Sequence, residues 1–298
     1  MQNNILFKGI MPALITPLND DSTVRVETVA PLMNWMIGQG VEGFYVLGAT
    51  GEGAALAECE RMRMAEAAAD VAKNAGKKMI LHVGAADTQS AKRLAKHAAE
   101  VGADAISSVY PSFFCHYTAD EALDYYRALV DAAGIPMMGY CTPMIRGVDV
   151  VTFVERLMKI EGVIGVKYTF PNYYDMFCIK HINGGNINVI NGPDETLLAG
   201  LSMGADGGIG STYNLMADRY VKLYQAVQSN DLKTAFALQE GINRVIAVML
   251  RHGVIPSIKL GLEAKGFACG HAAFPGHRYS KEERELILSE FHAAGLEL

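Results

Sequence analysis

The sequence predicts an α/β fold, a (β/α)8 barrel with a small C-terminal helical extension. Three observations predict it. Short β-like runs alternate with longer helical runs through eight successive βα units. The connections between them are short, as βα loops are. Beyond residue 230 the strand-like runs stop and only helical patterns continue. The expected division is residues 1–229 for the barrel and 230–298 for the extension.

Taken in order, residues 10–18 read as a first strand interrupted by Pro12, and 27–37 as a helix ending near Gly38 and Gly40. Residues 43–48 form a second strand. A long helix spans 58–74, with Glu58 and Glu60 in its first turn, where the helix dipole favours negative charge, and Gly76 as its stop. Residues 78–84 are a third strand, followed by a helix over 88–100 with Thr88 as its N-cap. Strands at 105–109 and 135–141 flank a helix at 118–133. A helix at 149–159 leads into a strand at 162–169, and a helix at 172–182 into a strand at 187–191. The last units are a helix over 194–203 capped by Asp194, a glycine-rich strand at 207–212 and a helix at 214–229. Helices at 232–252, 257–265 and 280–294 complete the chain.

Composition narrows the function classes. The chain is 50% hydrophobic and 19% charged, with a net charge of −6. No basic run is present, which argues against nucleic acid as a partner. Met1-Gln2-Asn3-Asn4 lacks the basic start of a signal peptide, and no apolar stretch is long enough to span a bilayer. The five cysteines are scattered without a CxxC, which suits a reducing cytoplasm. The eight histidines show no metal-ligand spacing, so no metal site is expected; no cofactor is expected either.

The chemistry collects at strand ends. In Gly162-Val163-Ile164-Gly165-Val166-Lys167-Tyr168-Thr169, Lys167 is the one charged residue of a buried strand. Burial favours the uncharged amine, which is a nucleophile able to form a Schiff base with a ketone. Alternation along the fifth strand points Pro136, Met138 and Tyr140 one way and Met137, Gly139 and Cys141 the other. On the sixth it groups Val163, Gly165 and Lys167, with Ile164, Val166 and Tyr168 facing the helices. Tyr140 and Lys167 then sit side by side, and a phenol there can move protons. The second strand ends in Gly48-Ala49-Thr50-Gly51-Glu52-Gly53, whose N–H groups and Thr50 hydroxyl suit a carboxylate. Asn191-Gly192-Pro193-Asp194-Glu195 ends the seventh strand with two acids, able to cap a helix or to accept bonds from hydroxyls. The glycine-rich eighth strand leaves room for a ligand beside Ser211.

Four motifs occur in register: G-x-T-G-E at 48–52, Y-x-x-P-x-x-x-G at 140–147, V-K-x-T at 166–169 and G-A-D-G-G-I-G-S-T-Y-N at 204–214. Together they resemble the pyruvate-dependent class I aldolases, the family that includes N-acetylneuraminate lyase and dihydrodipicolinate synthase, over nearly the whole chain. The resemblance implies a barrel enzyme, usually a homotetramer. It implies that Lys167 forms an imine with pyruvate, that Tyr140 works beside it, and that Ala49 and Thr50 hold the pyruvate carboxylate. The sialic-acid branch is the better match. There Asp194 and Glu195 would bind the polyhydroxyl tail of a sugar acid, with Thr169 and Gly192 near them and Ser211 opposite.

The dihydrodipicolinate branch carries an arginine two residues after the motif proline. This chain has Ile145 there, and Arg146 one residue later. Ala49 stands where the family usually has serine or threonine, and Phe113 where it usually has tyrosine. The expected reaction is cleavage of N-acetylneuraminate, or a similar 2-keto-3-deoxy sugar acid, to pyruvate and an aldehyde sugar. Another aldolase of the same family and a non-catalytic keto-acid-binding protein remain as alternatives.

Overall fold

The β-branched and glycine-rich runs form eight short parallel strands: β1 (Gly9–Pro12), β2 (Gly43–Val46), β3 (Lys78–His82), β4 (Ala105–Val109), β5 (Met137–Cys141), β6 (Val163–Tyr168), β7 (Asn188–Asn191) and β8 (Gly207–Gly210). The computed structural model describes residues 5–110, 117–142, 149–273 and 275–298. Phe113, Ile145 and Arg146 lie outside the described residues. From β2 to β8 each strand pairs with the next, and β8 pairs with β1 from Gly9 opposite Gly207 to Pro12 opposite Gly210. The ring closes between β1 and β2 through an Ala13–Tyr45 bridge, with the Leu14 N–H donating to the Tyr45 carbonyl at 2.9 Å.

The amphipathic runs between strands form the outer layer: α1 (Val26–Gly38), α2 (Glu58–Asn74), α3 (Thr88–Glu100), α4 (Ala119–Ala133), α5 (Val150–Leu157), α6 (Tyr173–Lys180), α7 (Leu197–Ser202) and α8 (Tyr213–Gln228). Three more follow: α9 (Leu232–His252), α10 (Val254–Ala264) and α11 (Lys281–Ala293). Side-chain oxygens start several of them. Thr118 and Ser280 make reciprocal capping boxes with Glu121 and Glu283, and Asp149, Asn172 and Asp231 cap α5, α6 and α9. Two expected caps are corrected. Asp87, not Thr88, caps α3, because its carboxylate reaches the Ser90 N–H at 2.8 Å. Asp194 does not cap α7 with its side chain; a 3₁₀ turn over Asp194–Thr196 precedes that helix, and the carboxylate turns to β8 instead.

The buried apolar residues divide into two sets. The larger lies between strands and helices. The smaller, Phe7, Met11, Ala13, Tyr45, Ile80, Ala105, Met138, Ile164, Ile190 and Ile209, draws from every strand or its flank and fills the barrel interior. Alternation on β5 is as expected: Met138 faces in, and Met137 and Cys141 face the helices. On β6 it is not. Met137 pairs with Val163 but Met138 with Gly165, so a bulge at Ile164 shifts the phase by one residue. Ile164 therefore points into the barrel and Val163 to the helices, the reverse of strict alternation. Past the bulge the pattern resumes, with Val166 and Tyr168 outward.

At the opposite end from the ligand loops, Asn188 acts as a piece of strand. Its side chain accepts from the Phe7 N–H at 2.8 Å and donates to the Phe7 carbonyl at 2.9 Å. Lys180 and Asp206 pair beside it at 2.8 Å. Of the C-terminal helices, α9 and α10 pack on α8 and α11 packs on α9 and α10, and this group reaches the ligand end at two points described below. Among the described residues, no single helix is long and apolar enough to cross a membrane.

Candidate active site

Strand pairing sets Tyr140 directly opposite Lys167. The Lys167 amine lies 4.4 Å from the centroid of the Tyr140 ring and 4.7 Å from that of Tyr45. The two rings meet edge to face with centroids 6.3 Å apart. Two lysines are buried among the described residues. Lys259 is paired with Glu52; Lys167 has no carboxylate partner among the described residues. Its amine lies over the faces of Tyr140 and Tyr45 inside the barrel mouth.

Tyr45 and His82 frame this amine and were not singled out from the sequence. The Tyr45 hydroxyl donates to Ser107 Oγ at 3.1 Å, and full burial raises its pKa far above the ordinary value, so it stays protonated. The His82 ring sits 6.4 Å from that of Tyr140 and accepts from the Val109 N–H at Nε2, 3.1 Å away. Burial, with the nearby charges of Arg61 and Lys167, lowers its pKa to about 3. His82 is thus a neutral spacer and not an acid. Arg61, buried under the end of β3, donates to the carbonyls of His82 and Gly84 at 2.8 and 2.9 Å and fixes that strand end. A histidine ending the run K-M-I-L-H was the available signal in the sequence.

Thr50 is buried and meets Ser211 over the end of β1, Oγ to Oγ at 2.6 Å. This contact joins the loop after β2 to the end of β8. Ala49 is exposed beside it. Asn214 stitches the same region, donating to the carbonyls of Ala13 and Ser211, each at 2.7 Å.

Thr169, Gly192, Asp194, Glu195 and Ser211 line one cavity of about 430 Å³. Its far wall is apolar, from Ile246 and Leu250 of α9 and Val254 of α10. Lys167 lies two residues back from Thr169 along β6, about 7 Å deeper. Thr169 Oγ1 is buried and has no hydrogen-bond partner among the described residues, which leaves it available to a ligand. Gly192 is required opposite: a Cβ there would stand 2.0 Å from that oxygen. A larger cavity of about 630 Å³ lies elsewhere, on the outer wall between α1, α8 and α9, and contains none of the expected site residues.

Asp194 is buried, and its Oδ2 accepts from both the N–H and the hydroxyl of Thr212 at 2.7 Å. Burial raises its carboxyl to about 6, against those two bonds, which lower it. Its Oδ1 lies so close to β8 that a Cβ on Gly210 would approach within 2.2 Å. Glu195 is exposed at the cavity rim. The extension supports this turn from behind. Gln239 donates to the Asp194 carbonyl at 3.2 Å and Asn243 to the Glu195 carbonyl at 3.0 Å.

All nine expected site residues thus lie at the same ends of the strands, in two adjoining groups. Lys167, Tyr140, Ala49 and Thr50 surround the barrel mouth; Thr169, Gly192, Asp194, Glu195 and Ser211 surround the cavity beside it. The Thr50–Ser211 contact joins the two.

Comparison with known proteins agrees with this arrangement. The family model for the dihydrodipicolinate synthetase family matches residues 6–293. The N-acetylneuraminate lyase of Citrobacter koseri is 38% identical over 255 residues, covering 85% of this chain and 84% of that protein. The N-acetylneuraminate lyase of Salmonella newport is 37% identical over the same shares. Among solved structures, Proteus mirabilis N-acetylneuraminate lyase is similar with a TM-score of 0.92 at 27% identity, covering 98% of this chain and 99% of that one. CdNal from Clostridium difficile, solved in complex with mannosamine, is similar with a TM-score of 0.91 at 28% identity, covering 97% and 99%. With a family match over residues 6–293 and a relative 38% identical over 85% of the chain, the chain belongs to the dihydrodipicolinate synthetase family.

Proposed function

We propose that this protein is a class I aldolase of the N-acetylneuraminate lyase type. It would cleave N-acetylneuraminate, or a closely similar 2-keto-3-deoxy sugar acid, to pyruvate and an aldehyde sugar. The observation that carries the reading is the Lys167 amine: buried, unpaired with any described carboxylate, and 4.4 Å from the Tyr140 ring centroid.

Lys167 Nζ attacks the C2 ketone, water leaves, and a protonated imine forms. The imine draws electrons from the C3–C4 bond as the proton on the C4 hydroxyl departs. That bond breaks, the aldehyde sugar leaves, and an enamine of pyruvate remains. Protonation at C3 and hydrolysis of the imine release pyruvate and restore the amine. Tyr140 carries protons at the imine and at the C4 oxygen. Thr50 and the N–H groups around Ala49 hold the carboxylate as a preorganised electrostatic site. Asp194, Glu195, Ser211, Thr169 and the backbone at Gly192 receive the hydroxylated tail in the cavity of about 430 Å³. The Asp194 carboxylate accepts from hydroxyls, and the apolar wall from α9 suits the less polar face of the sugar.

The pyruvate-anchored small-molecule substrate needs no further group in this scheme. The family resemblance also supports a homotetramer, which sedimentation equilibrium tests, and the scattered cysteines support a cytoplasmic location. The reading is tested by pyruvate release from a panel of 2-keto-3-deoxy sugar acids. N-Acetylneuraminate is expected to give the highest kcat/KM. Borohydride with pyruvate is expected to add one reduced adduct at Lys167, and none at that position in Lys167→Ala. Adduct without turnover of any sugar acid would sink the lyase assignment.

A further inference from the structure

The loop between β2 and α2 is tightly held. Leu47 and Glu52 both adopt the left-handed region, with φ of 63° and 55°, although neither is glycine. Non-glycine residues in this region persist where the surroundings hold them. Backbone bonds hold part of the loop: Glu52 N–H to Ala49 O at 3.0 Å and Gly53 N–H to Gly48 O at 3.2 Å. The Thr16 hydroxyl adds a bond to Gly51 O at 2.6 Å. The Glu52 side chain supplies the rest from outside the barrel. Its Oε2 pairs with Lys259 Nζ of α10 at 2.7 Å, with both side chains buried, and its Oε1 accepts from the Ala273 N–H at 2.5 Å. Lys259 also donates to the His271 carbonyl at 2.7 Å. Residues 268–273 are in turn fastened to the N-terminal part of the barrel, through Leu18 N–H to Cys269 O at 3.0 Å and the Thr28 hydroxyl to Ala268 O at 3.1 Å.

We propose that Glu52 and Lys259 are a positioning pair, through which the C-terminal extension holds the Thr50 hydroxyl and the neighbouring N–H groups in carboxylate-binding geometry. The proposal rests on the reading that a keto acid places its carboxylate at Ala49 and Thr50. Neither side chain lines the cavity. Desolvation of a buried pair costs about as much as its attraction returns, so the pair is a weak source of stability, and its worth lies in orientation. The extension is then a working part of substrate recognition as well as a cover for the barrel wall.

The test compares borohydride trapping of pyruvate with that of methyl pyruvate, which has the same ketone and no carboxylate. The proteins are wild type, Glu52→Gln, Lys259→Met and the double variant, which leaves no buried charge unpaired. In the double variant the half-saturating pyruvate concentration is expected to rise about tenfold, with methyl pyruvate changed less than about twofold and the limiting trapping rate nearly constant. Equal shifts for the two ketones, or an unchanged pyruvate value in the folded double variant, would overturn the proposal. Circular dichroism melting establishes folding. Should the double variant not fold, Glu52→Asp keeps the charge and shortens its reach. The same selective loss is expected from it, and its absence would overturn the proposal. A wild-type protein that traps neither ketone would instead remove the aldolase reading, and this inference with it.

Discussion

The hydroxyls of Thr50 and Ser211 meet at 2.6 Å, joining the β2 loop to the end of β8. One of them donates and the other accepts, so the pair keeps one O–H free for a ligand oxygen. The two partners are not equivalent when removed. Ser211→Ala leaves Thr50 free to donate and should change the half-saturating pyruvate concentration by no more than about threefold. Thr50→Val removes the donor beside the loop N–H groups and should raise it about tenfold or more, the worth of one hydrogen bond to a charged group. Trapping with borohydride measures both. Equal effects would show that the carboxylate does not sit at Thr50.

Tyr140→Phe keeps the ring that faces the Lys167 amine and deletes only the hydroxyl. The expected result is a kcat lower by about 10²–10⁴, the usual worth of a general acid–base group. KM for the sugar acid should change little, and pyruvate should still form a trappable imine. Steady-state kinetics with trapping by mass spectrometry separates the two steps. Retained kcat would mean that another group moves the protons.

Asp194 supplies a pH signature. Its folded pKa, about 6, lies above its ordinary 3.8 because burial disfavours the charged form. The folded state therefore holds this proton more tightly than the unfolded chain. Stability contributed through this group falls as pH rises from about 4 to about 6, by roughly 3 kcal/mol at most. Asp194→Asn removes the dependence, so the stability difference between variant and wild type should move in favour of the variant over that range. Urea titrations at several pH values measure it. Substrate binding runs the other way. Below about pH 6 the carboxyl gains a proton and loses acceptor capacity, so KM for the sugar acid should rise in wild type and stay flat in the variant.

Gly210→Ala tests the fit between β8 and the acid. The new Cβ would stand 2.2 Å from Asp194 Oδ1 and 2.5 Å from the Tyr213 ring. Either the acid or the ring must move. A loss of about 1–3 kcal/mol in stability is expected. A larger rise in KM for the sugar acid than for pyruvate trapping should accompany it. An unaltered KM would place the sugar tail away from Asp194.

The parts of this design that were legible in the sequence are those encoded by local pattern. Eight alternating runs gave the strand count. The lone lysine in an apolar strand marked the amine, and pairing of consecutive strands put Tyr140 beside it. What stayed hidden depends on contacts between distant residues. The bulge at Ile164 arises from how β6 pairs with β5, and no residue type in Val163-Ile164-Gly165 announces it. Asp194 sits where a helix cap would, yet burial against Thr212 turns its carboxylate across to the neighbouring strand end. Tyr45 and His82 were readable as aromatic residues at strand positions, but their place around the amine needed the curvature of the ring. Glu52 looked like part of a glycine turn, and its partner Lys259 is more than 200 residues away.

The bulge at Ile164 separates two tasks that a regular strand would tie together. Below it, inward-facing side chains belong to one phase and fill the floor of the barrel; above it, the opposite phase aims the Lys167 amine. Floor and amine can therefore drift independently. Swapping Ile164 for another aliphatic residue changes how the base is filled without rotating that nitrogen. Deleting that single residue, by contrast, would merge the two phases and put either the floor or the nitrogen on the wrong side of the wall.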